Sequence, residues 1–180
     1  MVDLSSAVVV LTGAMAAGKS TVAQRLAERL PRAAHVRGDL FRRMIVSGRR
    51  EFTPADADEA AAQLRLRYQL AAATADGYAR AGFTAVLQDV VLGPVWADYL
   101  DLVATRPRYA VVLVPRPEVI HRRERGRAKQ GYGEWTVESL DSAVRDDTPR
   151  LGLWLDNSDQ TPDETVDEIL AKLSLARLPD

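Results

Sequence analysis

Eight consecutive residues carry the sharpest chemical signal in the chain. Gly13-Ala14-Met15-Ala16-Ala17-Gly18-Lys19-Ser20 follows the spacing G-x-x-x-x-G-K-[ST] of a phosphate-binding loop. Glycines at both ends let the backbone turn tightly and approach phosphate oxygens with no Cβ in the way. Backbone N–H groups from Ala14 to Ser20, at the positive end of the following helix, form an anion nest. Lys19 has the reach for β- and γ-phosphates, Ser20 offers a hydroxyl to Mg²⁺, and Thr21 adds an α-phosphate contact. The bland alternative is an Ala/Gly-rich strand-to-helix turn with a solvated lysine. Only three lysines occur in the chain, and one stands here. That favours nucleoside triphosphate binding.

Two carboxylates come next. Arg37-Gly38-Asp39 follows a short apolar segment, and Gln88-Asp89 ends another. In an open parallel sheet the ligand crevice lies at the carboxyl ends of the strands. Asp39, Asp89 and the loop are therefore expected to converge there from three separate places. Asp39 is the candidate general base, taking the proton of an acceptor hydroxyl as the γ-phosphoryl arrives. Its structural alternative is a helix N-cap for residues 40–46. Asp89 is the candidate metal carboxylate, acting directly or through water. Its alternative is a strand-end carboxylate that caps a turn.

The third element is His121-Arg122-Arg123-Glu124-Arg125-Gly126-Arg127-Ala128-Lys129. Arg123 and Arg127, four apart, share one helix face. There they could close over a triphosphate and offset transition-state charge, with Gly126, Gly131 and Gly133 as hinges. The same run also reads as a solvated basic face. It reads, too, as a local RNA patch in which Tyr132 and Trp135 stack bases.

Composition narrows the field. The 180 residues carry 24 basic and 25 acidic side chains, for a formal charge of −1. That balance argues against a generally basic nucleic-acid coat protein. Zero cysteines exclude a disulfide scaffold, Cys-based zinc sites and thiol catalysis. The two histidines, His35 and His121, leave little room for a His-built metal site or a Ser-His-Asp triad. No segment approaches the roughly 18 apolar residues that span a bilayer. The start of the chain has no positive n-region or cleavage pattern. A soluble, cytoplasmic protein is expected.

The elements that must position these residues alternate. Residues 7–12 form an apolar run of the kind buried on both faces of a parallel sheet. A helix is predicted over 19–30, with Val22, Leu26 and Leu30 on one face, then a short strand over 33–37 and a helix over 40–46. Thr53 and Pro54 open the longest helix, which ends before Gly82. Strands are predicted at 83–89, 109–114 and 151–156, and helices at 94–104, 118–127 and 162–173, the last capped by Thr161. Trp96 and Trp154 read as core residues. With no internal repeat, low-complexity tract or linker, the pattern is one α/β domain spanning 1–180 around a five-stranded parallel sheet.

Two signatures of the GTPase switch proteins, D-x-x-G and N-K-x-D, are absent. A chain this short, with its loop near the N-terminus, resembles the small-molecule and nucleoside-monophosphate kinases. More narrowly, it resembles the chloramphenicol phosphotransferase-like kinases of the phosphate-loop superfamily. That resemblance rests on Gly13 to Ser20, Gly38-Asp39, Asp89-Val-Val-Leu-Gly93 and Arg123-Glu-x-x-Arg127, in the family's order over about the first 130 residues. It implies a three-layer α/β/α sandwich with a helical lid at about 121–135 and an acceptor-binding helical region at about 40–80. It further implies transfer of the ATP γ-phosphoryl to a hydroxyl of a small molecule, antibiotic-like or nucleoside-like. Lys19, Asp39, Arg123 and Arg127 would then be catalytic, Gly13 to Thr21 would cradle the nucleotide, and Ser20 and Asp89 would hold Mg²⁺.

Two departures stand out. Gln88 occupies a position where many relatives carry a second acid, and Ala128-Lys129-Gln130 replaces the usual Gly-Asp-Arg continuation of the lid. Asp156 to Pro162 resembles the loop that borders adenine in such kinases, and equally an ordinary turn and helix cap. By position, Phe41, Arg42, Arg43, Met44, Tyr68 and Gln69 are the acceptor-side candidates. A kinase of nucleoside monophosphates or nucleic-acid ends, and an ATP-binding regulatory module without phosphoryl transfer, are the competing readings.

Overall fold

Strand β1 (Val8–Gly13) is buried along its whole length because it sits in the middle of the sheet. The computed structural model describes residues 4–50, 58–126 and 135–179. From β1 the chain runs through α1 (Lys19–Glu28), β2 (Ala33–Arg37), α2 (Gly38–Arg43), α3 (Asp58–Arg80) and β3 (Thr84–Gln88). It continues through α4 (Val95–Asp101), β4 (Arg108–Leu113), α5 (Pro117–Arg125), α6 (Val137–Ser142) and a π-helical turn (Ala143–Asp147). β5 (Leu153–Leu155), α7 (Pro162–Ala171) and α8 (Leu173–Ala176) complete it.

The five strands lie in the order β2-β3-β1-β4-β5, and every neighbouring pair is parallel. Alternation along β1 divides the core. Val8 and Val10 face α3 and α4, packing with Ala71, Ala75, Trp96 and Leu100. Val9 and Leu11 face α1 and α7, packing with Val22, Leu26, Val166 and Ile169. This is the three-layer α/β/α arrangement, and the alanines of α3 let that helix lie close on the sheet. Trp96 is fully buried, as expected; Trp154 is half-buried beneath the Arg150 guanidinium, 3.9 Å from its ring centroid. Among the described residues, no helix is long and apolar enough to cross a membrane.

Several boundaries differ from the sequence expectation. α2 starts at Gly38, two residues early, so Asp39 lies in its first turn and Arg37 occupies the cap position. β5 contracts to three residues because Gly152, backed against the Ala110 carbonyl, breaks its start. α6 and the π-helical turn were not anticipated. α6 opens on Thr136, whose hydroxyl accepts from the Ser139 N–H while Ser139 bonds back to Thr136 N–H. Thr161 caps α7 with a reciprocal bond from Glu164, as predicted. The expected cap at Thr53-Pro54 lies outside the described residues.

Candidate active site

The loop Gly13–Ser20 connects β1 to α1 at the carboxyl end of the sheet. Gly13 is required by close approach: a Cβ there would fall 2.5 Å from the Leu113 carbonyl oxygen, and φ is +146°. Ala16 (φ 62°) and Gly18 (φ 99°) take left-handed conformations that curl the backbone, and α1 begins at Lys19. Lys19 is only 7% exposed and donates to the Ala14 carbonyl at 2.7 Å, inside the curl. Ser20 and Thr21, in the first turn, are exposed at the rim. The loop thus brings together an ammonium group, two hydroxyls and a helix start, the chemistry of a triphosphate cradle.

Arg123 reaches this loop from α5. Its Nη1 donates to the Ala17 carbonyl at 3.1 Å and its Nη2 to the Asn157 carbonyl at 2.9 Å. Asn157, from the segment after β5, donates its own amide to the same Ala17 oxygen at 3.1 Å. A Cβ placed on Gly18 would sit 3.8 Å from Arg123 Nη1 and 3.5 Å from Asn157 Nδ2. Arg123 and the segment singled out as an adenine border therefore both rest on the loop itself. Burial and the charge of Arg122 draw the Arg123 pKa down from its ordinary value, opposed by Asp156. Arg127, Lys129 and Tyr132 lie outside the described residues. Trp135 packs against the core.

Asp39 stands in the first turn of α2, its side chain 33% exposed. Its side chain makes no capping bond, so the helix-cap alternative is not realised. Oδ2 pairs with Arg43 Nη2 at 2.9 Å. Oδ1 is occluded yet has no hydrogen-bond partner; the nearest cation, Arg37 Nε, is 3.6 Å away and is also without a hydrogen bond. Arg37 in turn lines a groove of 410 Å³ that starts at Ser20 and Thr21 and runs past Gln24 to His35. Asp39 is thus one ion pair away from the groove that the loop rim opens.

Asp89 behaves differently from the expectation. Its side chain is 1% exposed, and Arg67 of α3 closes on it with Nε 2.9 Å from Oδ2 and Nη2 on Oδ1. Oδ1 also accepts from the Val90 N–H at 2.7 Å. Both oxygens are committed within the protein, so metal ligation by Asp89 requires the Arg67 pair to open. Arg67 was missed in the sequence, although the signal was there. It lies four and eight residues before Ala71 and Ala75, on the buried stripe of α3, where a charge implies a buried partner. Burial is the main influence on Arg67 and lowers its pKa from the ordinary value.

Of the acceptor-side candidates, Phe41 packs on the core, Arg42 is half-buried, and Arg43, Met44 and Gln69 are exposed. Tyr68 is buried edge-on against Tyr99, with ring centroids 4.9 Å apart, and donates to the Val90 carbonyl at 3.2 Å. Burial pushes its hydroxyl up to about 12, so it remains a donor. Tyr68 therefore steadies the segment after β3. Thr12 does the same from β1, donating to the Val91 carbonyl at 2.8 Å and accepting its N–H at 3.0 Å.

A family model described as an AAA domain, AAA_33, matches residues 8–147, and the chain belongs to that family. Its fold is that of the P-loop kinases. It superposes on a sugar kinase from Janibacter sp. HTCC2649 with a TM-score of 0.68 and 21% identity, covering 94% of this chain and 95% of that one. A gluconokinase from Sinorhizobium meliloti 1021 gives a TM-score of 0.65 and 20% identity, with 95% and 94% covered. The Mycobacterium tuberculosis APS kinase CysC, in complex with AMPPNP and APS, gives 0.65 and 20%, with 93% and 96% covered. No curated protein sequence matches the chain.

Proposed function

We propose that the protein transfers the γ-phosphoryl group of MgATP to a hydroxyl of a small molecule, in the manner of the chloramphenicol phosphotransferase-like kinases that its motifs resemble. The observation that carries this reading is the state of Asp39. One oxygen is held by Arg43, and the other, without a hydrogen bond, faces Arg37, a residue that lines the groove leading from Ser20. An acceptor O–H supplies the donor that Oδ1 lacks, and the same contact removes the proton as the new P–O bond forms.

The remaining residues serve position and charge. The loop from Gly13 to Thr21 holds the triphosphate, Lys19 exchanges the Ala14 carbonyl for phosphate oxygens, and Arg123 with Arg127 offsets the charge. Among the described residues no cluster of three His, Cys, Asp or Glu side chains forms a metal cage. Ser20 would offer its hydroxyl to a metal that enters on the nucleotide, and the metal would supply charge neutralisation at the phosphates. Asp89 stays pinned by Arg67.

The test is ADP release with MgATP across a panel of hydroxylated acceptors, with Lys19→Ala and Asp39→Asn alongside. Lys19→Ala is expected to abolish turnover and the thermal stabilisation by MgATP. Asp39→Asn is expected to lower kcat by about 10²–10⁴-fold with little change in KM for ATP. ATP binding with no acceptor-stimulated release, and an Asp39→Asn variant indistinguishable from wild type, would leave an ATP-binding regulatory module.

A further inference from the structure

The outward face of α3 is built like an interior surface. Leu66 and Leu70 are 46% and 43% exposed, and Ala62, Gln69 and Ala73 stand open to solvent beside them. On a helical period these positions fall opposite Tyr68, Ala71, Ala75 and Ala79, which α3 buries on the sheet. Between Glu59 and Arg80 the stripe carries no charge: Arg65 stands at its flank, while Arg67 and Asp76 turn inward. Charged residues make up 27% of the chain, so a solvent-facing stripe of this length is expected to hold several. Toward its C-terminal end the stripe opens into a hollow of 390 Å³ lined by Thr74, Gly77, Tyr78 and Ala81. Near its N-terminal end it is bordered by the Gly48–Arg50 segment, which Gln63 binds through the Gly48 carbonyl and the Arg50 N–H.

The two ends of the helix carry opposite charge. Asp58 and Glu59 are exposed in the first turn, and Arg80 is exposed in the last. Arg32 joins Arg80 there: its guanidinium lies over the Phe83 ring, 4.5 Å from the centroid, and Nη2 donates to the Ala81 carbonyl at 3.4 Å. A stripe that is acidic at one end, basic at the other and apolar between is the complement of its own reverse. Reversal about a point between Gln69 and Leu70 brings Glu59 onto Arg80, Ala62 onto Gly77 and Leu66 onto Ala73. Leu66 thereby meets a small residue, which lets two helices approach closely.

We propose that this face binds a second copy of the chain, with the two α3 helices antiparallel across a two-fold axis between Gln69 and Leu70. Leu66 of each copy packs on Ala73 of the other, at the edge of the hollow. At the axis Gln69 meets Gln69 and Leu70 meets Leu70. Asp58 and Glu59 face the second copy's Arg80 and Arg32 at both ends of the contact. Parallel pairing would set like charges against each other at both ends. The contact uses the same patch on both copies, so it closes at two. A helix of 23 residues is about 34 Å long. A contact centred on it lies near the low end of specific interfaces, roughly 1,200 Å² in total. The dimer is therefore concentration-dependent, with a Kd of about 1–100 μM.

Sedimentation velocity between about 1 and about 200 μM is expected to show a reversible monomer–dimer equilibrium. Leu66→Glu and Leu70→Glu, both at exposed positions, should each weaken the dimer about tenfold or more. Circular dichroism melts at the lowest concentration should stay those of wild type. Register is read by crosslinking, because the chain has no cysteine of its own. Gln69→Cys should couple to itself through a short bis-maleimide. Glu59→Cys and Arg80→Cys should each stay uncoupled alone and couple when mixed. A monomer at every concentration overturns the proposal and leaves the face to a different partner. A dimer indifferent to Leu66→Glu and Leu70→Glu overturns it too, as does coupling of Glu59→Cys with itself. None of these readouts uses ATP or an acceptor, so the outcome is independent of the kinase reading.

Discussion

Arg67 extends from the middle of α3 to the end of β3 and grips Asp89 with two nitrogens, its Nε 2.9 Å from Oδ2. The pair locks α3 to β3, the strand paired with β1. Because the carboxylate is 1% exposed, water cannot replace the guanidinium if it is removed.

Removing one partner should therefore hurt more than removing both. Arg67→Met leaves a buried carboxylate uncompensated and is expected to destabilise the fold by about 3–5 kcal/mol. The double change Arg67→Met with Asp89→Leu should recover much of that loss, giving a coupling well above the scatter expected of independent sites. Urea titrations of the four proteins in the cycle measure it. Additive losses would show that the two side chains act separately.

The backbone of Gly38 sets a second constraint at the same place. A Cβ there would lie 2.0 Å from Asp89 Oδ2 and 2.4 Å from its Cγ, both buried and anchored. Gly38→Ala is expected to push α2 away from β3, lowering stability by about 1–3 kcal/mol and displacing Asp39. Gly77→Ala is the control of opposite sign. Gly77 lies in α3 with only the Arg80 side-chain end at 3.9 Å, and alanine there should stabilise the helix by about 0.5–1 kcal/mol. Thermal melts of the two variants should move in opposite directions.

Parts of this site were legible in the sequence for physical reasons. Phosphate binding by backbone N–H groups demands glycine at fixed offsets, so the loop reads from residue types alone. A fully buried central strand must be continuously apolar, which is why residues 7–12 mark β1. Asp39 and Asp89 became candidates because strand ends face the crevice. Their partners were not, because Arg43 and Arg67 meet them through the packing of α2 and α3 on the sheet, which no local pattern encodes. α6 escaped for a related reason: its capping box uses Ser139 where the common signature has Glu or Gln. The tie between Arg123, Asn157 and Ala17 joins residues more than a hundred positions apart on two of its sides, and only the closed sheet brings them together.

That tie carries its own prediction. Arg123 bonds two carbonyls with two nitrogens, a geometry that a lysine cannot reproduce. Arg123→Lys keeps the charge yet leaves the Ala17 carbonyl, next to Gly18, with Asn157 as its donor. KM for ATP is expected to rise about tenfold, with a smaller fall in kcat. Asn157→Ala, which removes the other donor to the same oxygen, should move KM for ATP in the same direction. If Arg123→Lys leaves KM for ATP unchanged, the loop holds its shape without the guanidinium.

His35 gives the groove a dependence on pH. Its Nδ1 meets Gln24 Oε1 at 2.9 Å, so the neutral ring carries its proton on Nδ1, while Nε2 is occluded and without a partner. Burial, reinforced by the charge of Arg37 and opposed by Asp39, holds the His35 pKa below its ordinary value of 6.5. Arg25 and Glu28 of α1 line the same groove and share its solvent. In the unfolded chain the ring takes up a proton as pH falls through 6.5, while in the folded protein it resists. The unfolded state then binds more protons, so stability is full above that value and declines as pH drops below it. His35→Gln removes the titrating group. The fall in melting temperature between about pH 7.5 and about pH 5.5 should be shallower in this variant than in wild type, as followed by circular dichroism. An identical slope in the two proteins would assign the acid sensitivity to the carboxylates alone.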